Sequence, residues 1–452
     1  MGVTRPKRQA TCSLLAALAL LAACEREAIL PGERFAVRTP LDASVQIEGG
    51  ALPVAPAEVP ENQTRPIALP GMGANAEWTQ RGGNAQHVAP HGNLSATPHL
   101  MWAAEIGVGN GPRNRITAAP VVAGGVVFVM DALAQVTAVS MSGATVWRAD
   151  LTAPYDRGGA QSGGGLAVAG GLVFASTGYG EVLALNAGNG AVVWRQRLGA
   201  PAAGAPGVAG GAVYAMGTDG TGWALDAASG RVNWTLPGAK NQLASDTGAA
   251  PAVIGGTVVF PFSAGVMLAA EADTGKPLWQ AAITGNRLGR AFANSGDITG
   301  DPVVSGGVVY VGTSAGRTGA FRADTGGRIW TAEDGAVNPG LVFGGSVFVV
   351  SDEGRVIRLD AGTGARVWAT DLPQFVEKRP RNYGRIYAHF GPVLAGGRLV
   401  TVSSDGMLRQ YDPASGAVVG SVAVPGGAAS MPALAGGMMF VVTARGQLLA
   451  FR

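Results

Sequence analysis

Cysteine is almost missing from this chain: only Cys12 and Cys24 occur in 452 residues, both near the start. Past Cys24, no disulfide, thiol nucleophile or cysteine-bound metal can form. Histidine is scarce as well, at four residues, and His87 and His91 flank Pro90 in a stretch with no helical period, a poor arrangement for a metal ion. Charged residues are 14% and aromatics 6%, against 47% apolar residues, so a solvated coil is excluded and a buried core required. Helices of ordinary length are excluded too, because turn residues interrupt the chain about every 8 to 12 residues.

Glycine is what the chain has in abundance, 71 residues, and much of it is periodic. Gly-Gly pairs stand at 124–125, 170–171, 210–211, 255–256, 306–307, 344–345, 396–397 and 436–437, each followed by a strand-like run such as Val308-Val309-Tyr310-Val311. Tryptophans keep the same beat at Trp102, Trp147, Trp194, Trp234, Trp279, Trp330 and Trp368, with Gly420 where the next would fall. In the unit Pro302 to Trp330, turns at Gly306-Gly307, Gly316 and Asp324-Thr325-Gly326 separate four short runs. The fold is therefore expected to be all-β, an eight-bladed β-propeller of four-stranded antiparallel blades over residues 77–452. The last unit stops before a closing strand, and Leu100 to Ile106 is a strand without a blade of its own. The expectation is that it closes the eighth blade, while the tryptophans wedge between neighbouring blades.

Arg5, Lys7 and Arg8 precede an apolar run from Leu14 to Ala22, too short to span a bilayer, which reads as a signal peptide over residues 1–23. Leu21-Ala22-Ala23-Cys24 resembles the bacterial lipobox. That resemblance implies acylation of Cys24, and Glu25 after it implies sorting to the outer membrane; the other reading is an exported protein with a chance cysteine. Residues 24–76 carry seven prolines and little periodicity and are expected to form a tether, unless part of the stretch packs on the ring. Removing the signal peptide takes away three basic residues and leaves thirty of each sign, so the whole-chain pI near 9.0 is no nucleic-acid footprint.

Trp78-Thr79-Gln80-Arg81-Gly82-Gly83-Asn84 resembles the opening motif of quinoprotein-type propellers, and Ala224-Leu225-Asp226-Ala227-Ala228-Ser229-Gly230 followed by Trp234 is similar to their repeat. With the lipobox-like segment and eight units, the chain resembles the BamB family of outer-membrane assembly lipoproteins. Ile29 to Arg34 and His389 to Leu394 are similar to its alphaproteobacterial version. The resemblance implies a scaffold of the β-barrel assembly (BAM) machinery on the periplasmic face of the outer membrane. Its partners would be the BamA POTRA domains, other BAM components and unfolded outer membrane proteins, with no catalysis and no cofactor. A different periplasmic protein partner is the alternative. A quinone-dependent dehydrogenase is disfavoured, since the adjacent-cysteine disulfide of that family's alcohol dehydrogenases cannot form.

The resemblance also implies contact residues. Asp297, five residues before Pro302, matches an Asp that contacts the POTRA partner in that family, with Ile298 beside it. The segment Lys240 to Asp246 corresponds to a second contact stretch, offering Leu243 and Asp246 but no matching Arg. Asn294 to Asp301 lacks the spacing of a calcium loop and is expected to be a polar inter-blade loop. Lys378, Arg379, Arg381, Tyr383 and Arg385 form a basic, aromatic insertion within 377–387, suited to anionic head groups or a protein partner, or simply solvated.

Overall fold

The computed structural model describes residues 62–156, 163–238, 248–285, 296–377, 379 and 384–452. Two compact units divide the chain, Met1–Val59 and Pro60–Arg452, and all described residues belong to the second.

Eight four-stranded antiparallel sheets form the ring. Blade one runs Val121–Ala123, Val126–Met130, Gln135–Ser140 and Thr145–Asp150, and the pattern repeats through blade seven, which ends at Val418–Ala423. Blade eight takes Ala433–Ala435, Met438–Val442 and Gln447–Phe451 from the end of the chain and Leu100–Glu105 from its beginning, paired through Trp102↔Ala450 and Ala104↔Leu448. The ring closes as expected from the sequence, and the closure is non-covalent. His99 and Arg452 exchange backbone hydrogen bonds at 3.1 Å where a hairpin would otherwise be.

Strands alternate in direction, which sorts the loops onto two faces. The first turn of each blade is the Gly-Gly pair; at Gly306 and Gly307 φ is 58° and 77°, the two consecutive positive values that a two-residue hairpin demands. That turn shares one face, here called the turn face, with the hairpin between third and fourth strands. The second turn and the connector to the next blade lie on the opposite, connector face.

Each of the seven closing tryptophans works across a blade boundary. Trp279 Nε1 donates to the Ala323 carbonyl of the next blade at 2.9 Å, and its ring fills the space over Gly326, where φ is 68° and a Cβ would stand 2.5 Å from the indole. The other six repeat the bond from Trp102, Trp147, Trp194, Trp234, Trp330 and Trp368. Blade seven carries Gly420 at that register because blade eight has no hairpin there to cap. Gln410, opposite Gly420, donates instead to the Ala96 carbonyl at 3.2 Å.

Of the stretch 24–76, the part from Asn62 onward packs on the ring, which is the second of the two readings the sequence left open. Asn62 and Gln63 bond the outer strand of blade six, and Ala74 to Gly92 then follows the inner strands around the axis. Gly437 donates to Ala74 (blade eight), Trp78 exchanges bonds with Val122 (one), Val168 donates to Thr79 (two), and Val253 to Ala85 (four). Val304 donates to Gln86 (five), and Gly92 pairs with Leu394 (seven). The Gln80 side chain both accepts from and donates to Val208 of blade three. This segment plugs the axis at the turn face, with Trp78 fully buried.

Candidate docking face

With the turn face plugged, the axis among the described residues opens toward the connectors. A cavity of ≈ 700 Å³ there is lined by Arg81, Arg113, Arg115, Asn110, Asn338 and Ser430 among polar residues and by Ile116, Val337, Ile386, Phe390 and Met431 among apolar ones. Arg81 sits at its base in a two-pronged ion pair with Asp301, whose Oδ1 also accepts the Ala250 N–H at 2.7 Å. Burial lowers the Arg81 pKa to about 10, still far above neutrality, so the guanidinium stays charged. Beside it, His87 Nδ1–H donates to the Pro302 carbonyl at 2.8 Å. Desolvation pulls that imidazole down to about 4, so it is neutral at physiological pH.

Of the contact residues expected from the sequence, Asp297 and Ile298 stand on this same face, where the chain passes from the fourth strand of blade four into the first of blade five. Their exposure differs from expectation. Asp297 is buried, and its carboxylate accepts the Ala264 N–H at 3.0 Å. It braces the second turn of blade four, where Ala264 holds a φ of 62°. Ile298 is buried among Ile283, Val304 and Phe321 and opens the first strand of blade five, Ile298–Ser305. The polar loop expected over Asn294 to Asp301 is thus strand from Ile298 onward, with bulges between Ile298 and Val303 that turn polar Asp301 toward Arg81. Asp297 and Ile298 both line a small notch of ≈ 20 Å³ on this face, with Met216, Thr218, Phe262 and Ser263. Leu243 and Asp246 lie outside the described residues.

The two ends of the insertion between blades six and seven are paired, with Phe375 bridged to Ile386. Val376 donates to Arg385 and Tyr387 to Gln374, at 3.0 and 2.9 Å, bringing its base together at the cavity lip. Arg385 pairs with Glu377 at 3.3 Å in solvent, Arg379 is exposed, and Ile386 is 55% exposed beside them. Cys24, Lys378, Arg381 and Tyr383 lie outside the described residues. The lining arginines Arg113 and Arg115 were not singled out by sequence reasoning; their signal was two basic residues in the connector that leaves the closing strand.

Calcium-dependent quinone chemistry would need carboxylate and amide oxygens converging on one ion. The described lining of the cavity has no Asp or Glu, and no three His, Cys, Asp or Glu groups converge anywhere among the described residues. These residues do not fit that group.

Among solved structures, BamB from Moraxella catarrhalis aligns with a TM-score of 0.63 at 18% identity, covering 79% of this chain and 98% of that one. Quinohemoprotein alcohol dehydrogenase from Comamonas testosteroni aligns at 0.64 and 15%, covering 84% and 81%. A europium-containing methanol dehydrogenase aligns at 0.61 and 15%, covering 83% and 89%. At such identities these likenesses show the fold alone. No curated protein matches the chain by sequence. The family model described as outer membrane protein assembly factor BamB matches residues 132–370 and 377–452. The chain belongs to the outer membrane protein assembly factor BamB family.

Proposed function

We propose that the chain is a non-catalytic scaffold of outer-membrane β-barrel assembly, anchored through acylated Cys24 to the periplasmic face of the outer membrane. It docks the POTRA domains of BamA on its connector face. The family membership carries this reading. The plugged turn face, the open connector face and a cavity whose described lining lacks carboxylates favour a docking surface over a reaction site. Within that face, Asp297 acts by bracing the Ala264 turn beside the notch, Ile298 by fixing the strand under it, and Leu243 and Asp246 by offering contacts on the neighbouring connector. The basic insertion, with Lys378, Arg379, Arg381, Tyr383 and Arg385, supplies an accessory patch for acidic partner surface.

The test is calorimetric titration of the purified full chain with a BamA POTRA segment. Saturable binding that weakens about tenfold in Asp297→Ala, with the ring still folded, supports the scaffold. Absence of heat and of co-elution with the wild-type chain would move the family fold to a different periplasmic partner.

A further inference from the structure

One register position in the third strand of each blade is Ala in six blades: Ala138, Ala184, Ala224, Ala269, Ala320 and Ala450, each opposite the closing tryptophan. Blade six has Arg358 there, and blade seven Gln410. Both exceptions reach the N-terminal segment. Arg358 is 1% exposed, and its Nη1 donates to the carbonyls of Arg65, Pro413 and Ala414, its Nη2 to Pro66 and its Nε to Ser346 Oγ. Gln410 donates to Ala96. Six alanines show that the blade itself asks for no long side chain here. A buried guanidinium bonded to neutral oxygens is costly to desolvate, so it needs a ligand worth holding.

The outer surface carries an independent sign of the same contact. The residue before the closing tryptophan is 45–50% exposed at Val146, Val193, Leu278 and Ile329, and Val419, before Gly420 in blade seven, is 55% exposed, whereas Val367 of blade six is 2% exposed. Residues 62 to 66 lie over it. Gln63 donates to the Val367 carbonyl at 2.9 Å, and the Asn62 amide exchanges two hydrogen bonds with the Ala369 backbone. Arg65 donates to the Ala414 carbonyl and pairs with Asp360 at 2.8 Å.

We infer that Asn62–Pro66 is a strain-relief clamp for the N-terminal leash. Asn62 and Gln63 bond Ala369 and Val367 of the outer strand of blade six, so tension from upstream falls on these hydrogen bonds before any force reaches the axial plug. At each blade that it bonds, the plug makes one or two hydrogen bonds and would otherwise peel out blade by blade. Blade six is therefore the fixed point at which the leash joins the ring. This role rests on the anchor reading above; the grip itself does not.

Amide hydrogen exchange on the full chain tests the grip. Arg358→Ala should speed exchange at Gln63 and Arg65 about tenfold while leaving Val122, Val168, Val253 and Val304, which hold the plug, at wild-type rates. Unchanged Gln63 and Arg65, or equal acceleration at the plug, overturns it. Should Arg358→Ala fail to fold, exposed Asn62→Ala must accelerate Ala369 and Gln63, and no acceleration there is equally fatal. The load-bearing role is read by pulling unacylated chain between Cys24 and Arg452 in an optical trap. A short release of the clamp ahead of the plug supports it, and simultaneous rupture contradicts it. An unmodified Cys24 in native protein, by mass spectrometry, would overturn the anchor and with it the load, and is distinguishable from failure of the grip.

Discussion

His87 occupies the left-handed region at a φ of 58°, is 2% exposed and faces Arg81, so its proton is unwelcome in the folded ring. Its folded pKa is about 4 against 6.5 for the ordinary group. The unfolded chain therefore binds the extra proton between those values, and stability contributed by neutral His87 is complete above pH 6.5 and falls as pH drops toward 4. The expected loss across that window is about 3 kcal/mol. His389, also lowered by burial and held between Ser403 and Pro373, acts in the same direction. Denaturant titrations at pH 7 and pH 5 should show the loss, and His87→Asn, whose residue type tolerates a positive φ, should flatten it. Asp297 teaches a different point. Its position in the repeat was legible, but its burial was not, because exposure is decided by the Ala264 turn of a neighbouring blade rather than by local sequence.

Blade boundaries are where single elements can be tested. Trp279 is 8% exposed, stacks over Gly326 and caps Ala323. Trp279→Ala should lower unfolding free energy by about 3–5 kcal/mol, measured by denaturant melts. Gly326→Ala attacks the same boundary from the other side, adding a Cβ into the indole at an unfavourable φ; about 1–3 kcal/mol is expected. Gly420→Trp should gain nothing, since blade eight offers no hairpin to receive the ring. The Gly-Gly and Trp beats made these elements readable, because turns and wedges are local and repeated. The plug was not readable: its motif at Trp78 to Asn84 was visible, but its path depends on one or two bonds at the blades it meets and leaves no periodicity. The clamp left a trace that reading the repeats singly misses, namely Arg358 and Gln410 standing in a column of alanines.

At the scale of the ring, one face is plugged by the chain's own N-terminal segment and the other carries the described connectors. Closure by Leu100–Glu105 makes blade eight depend on both chain ends. Trimming the chain through Glu105 would remove clamp, plug and closing strand together, exposing the edge of Gln447–Phe451, and the truncated protein should aggregate, seen by light scattering. The asymmetry of the faces is the basis of the functional account, and site-specific photo-crosslinking in cells tests it most directly. A crosslinking residue would replace Tyr155 or Arg385 on the connector face, and Asn189 or Asp324 on the turn face. The account expects adducts with a β-barrel assembly component from the connector positions alone. Adducts from the turn face, or none from either, would contradict it.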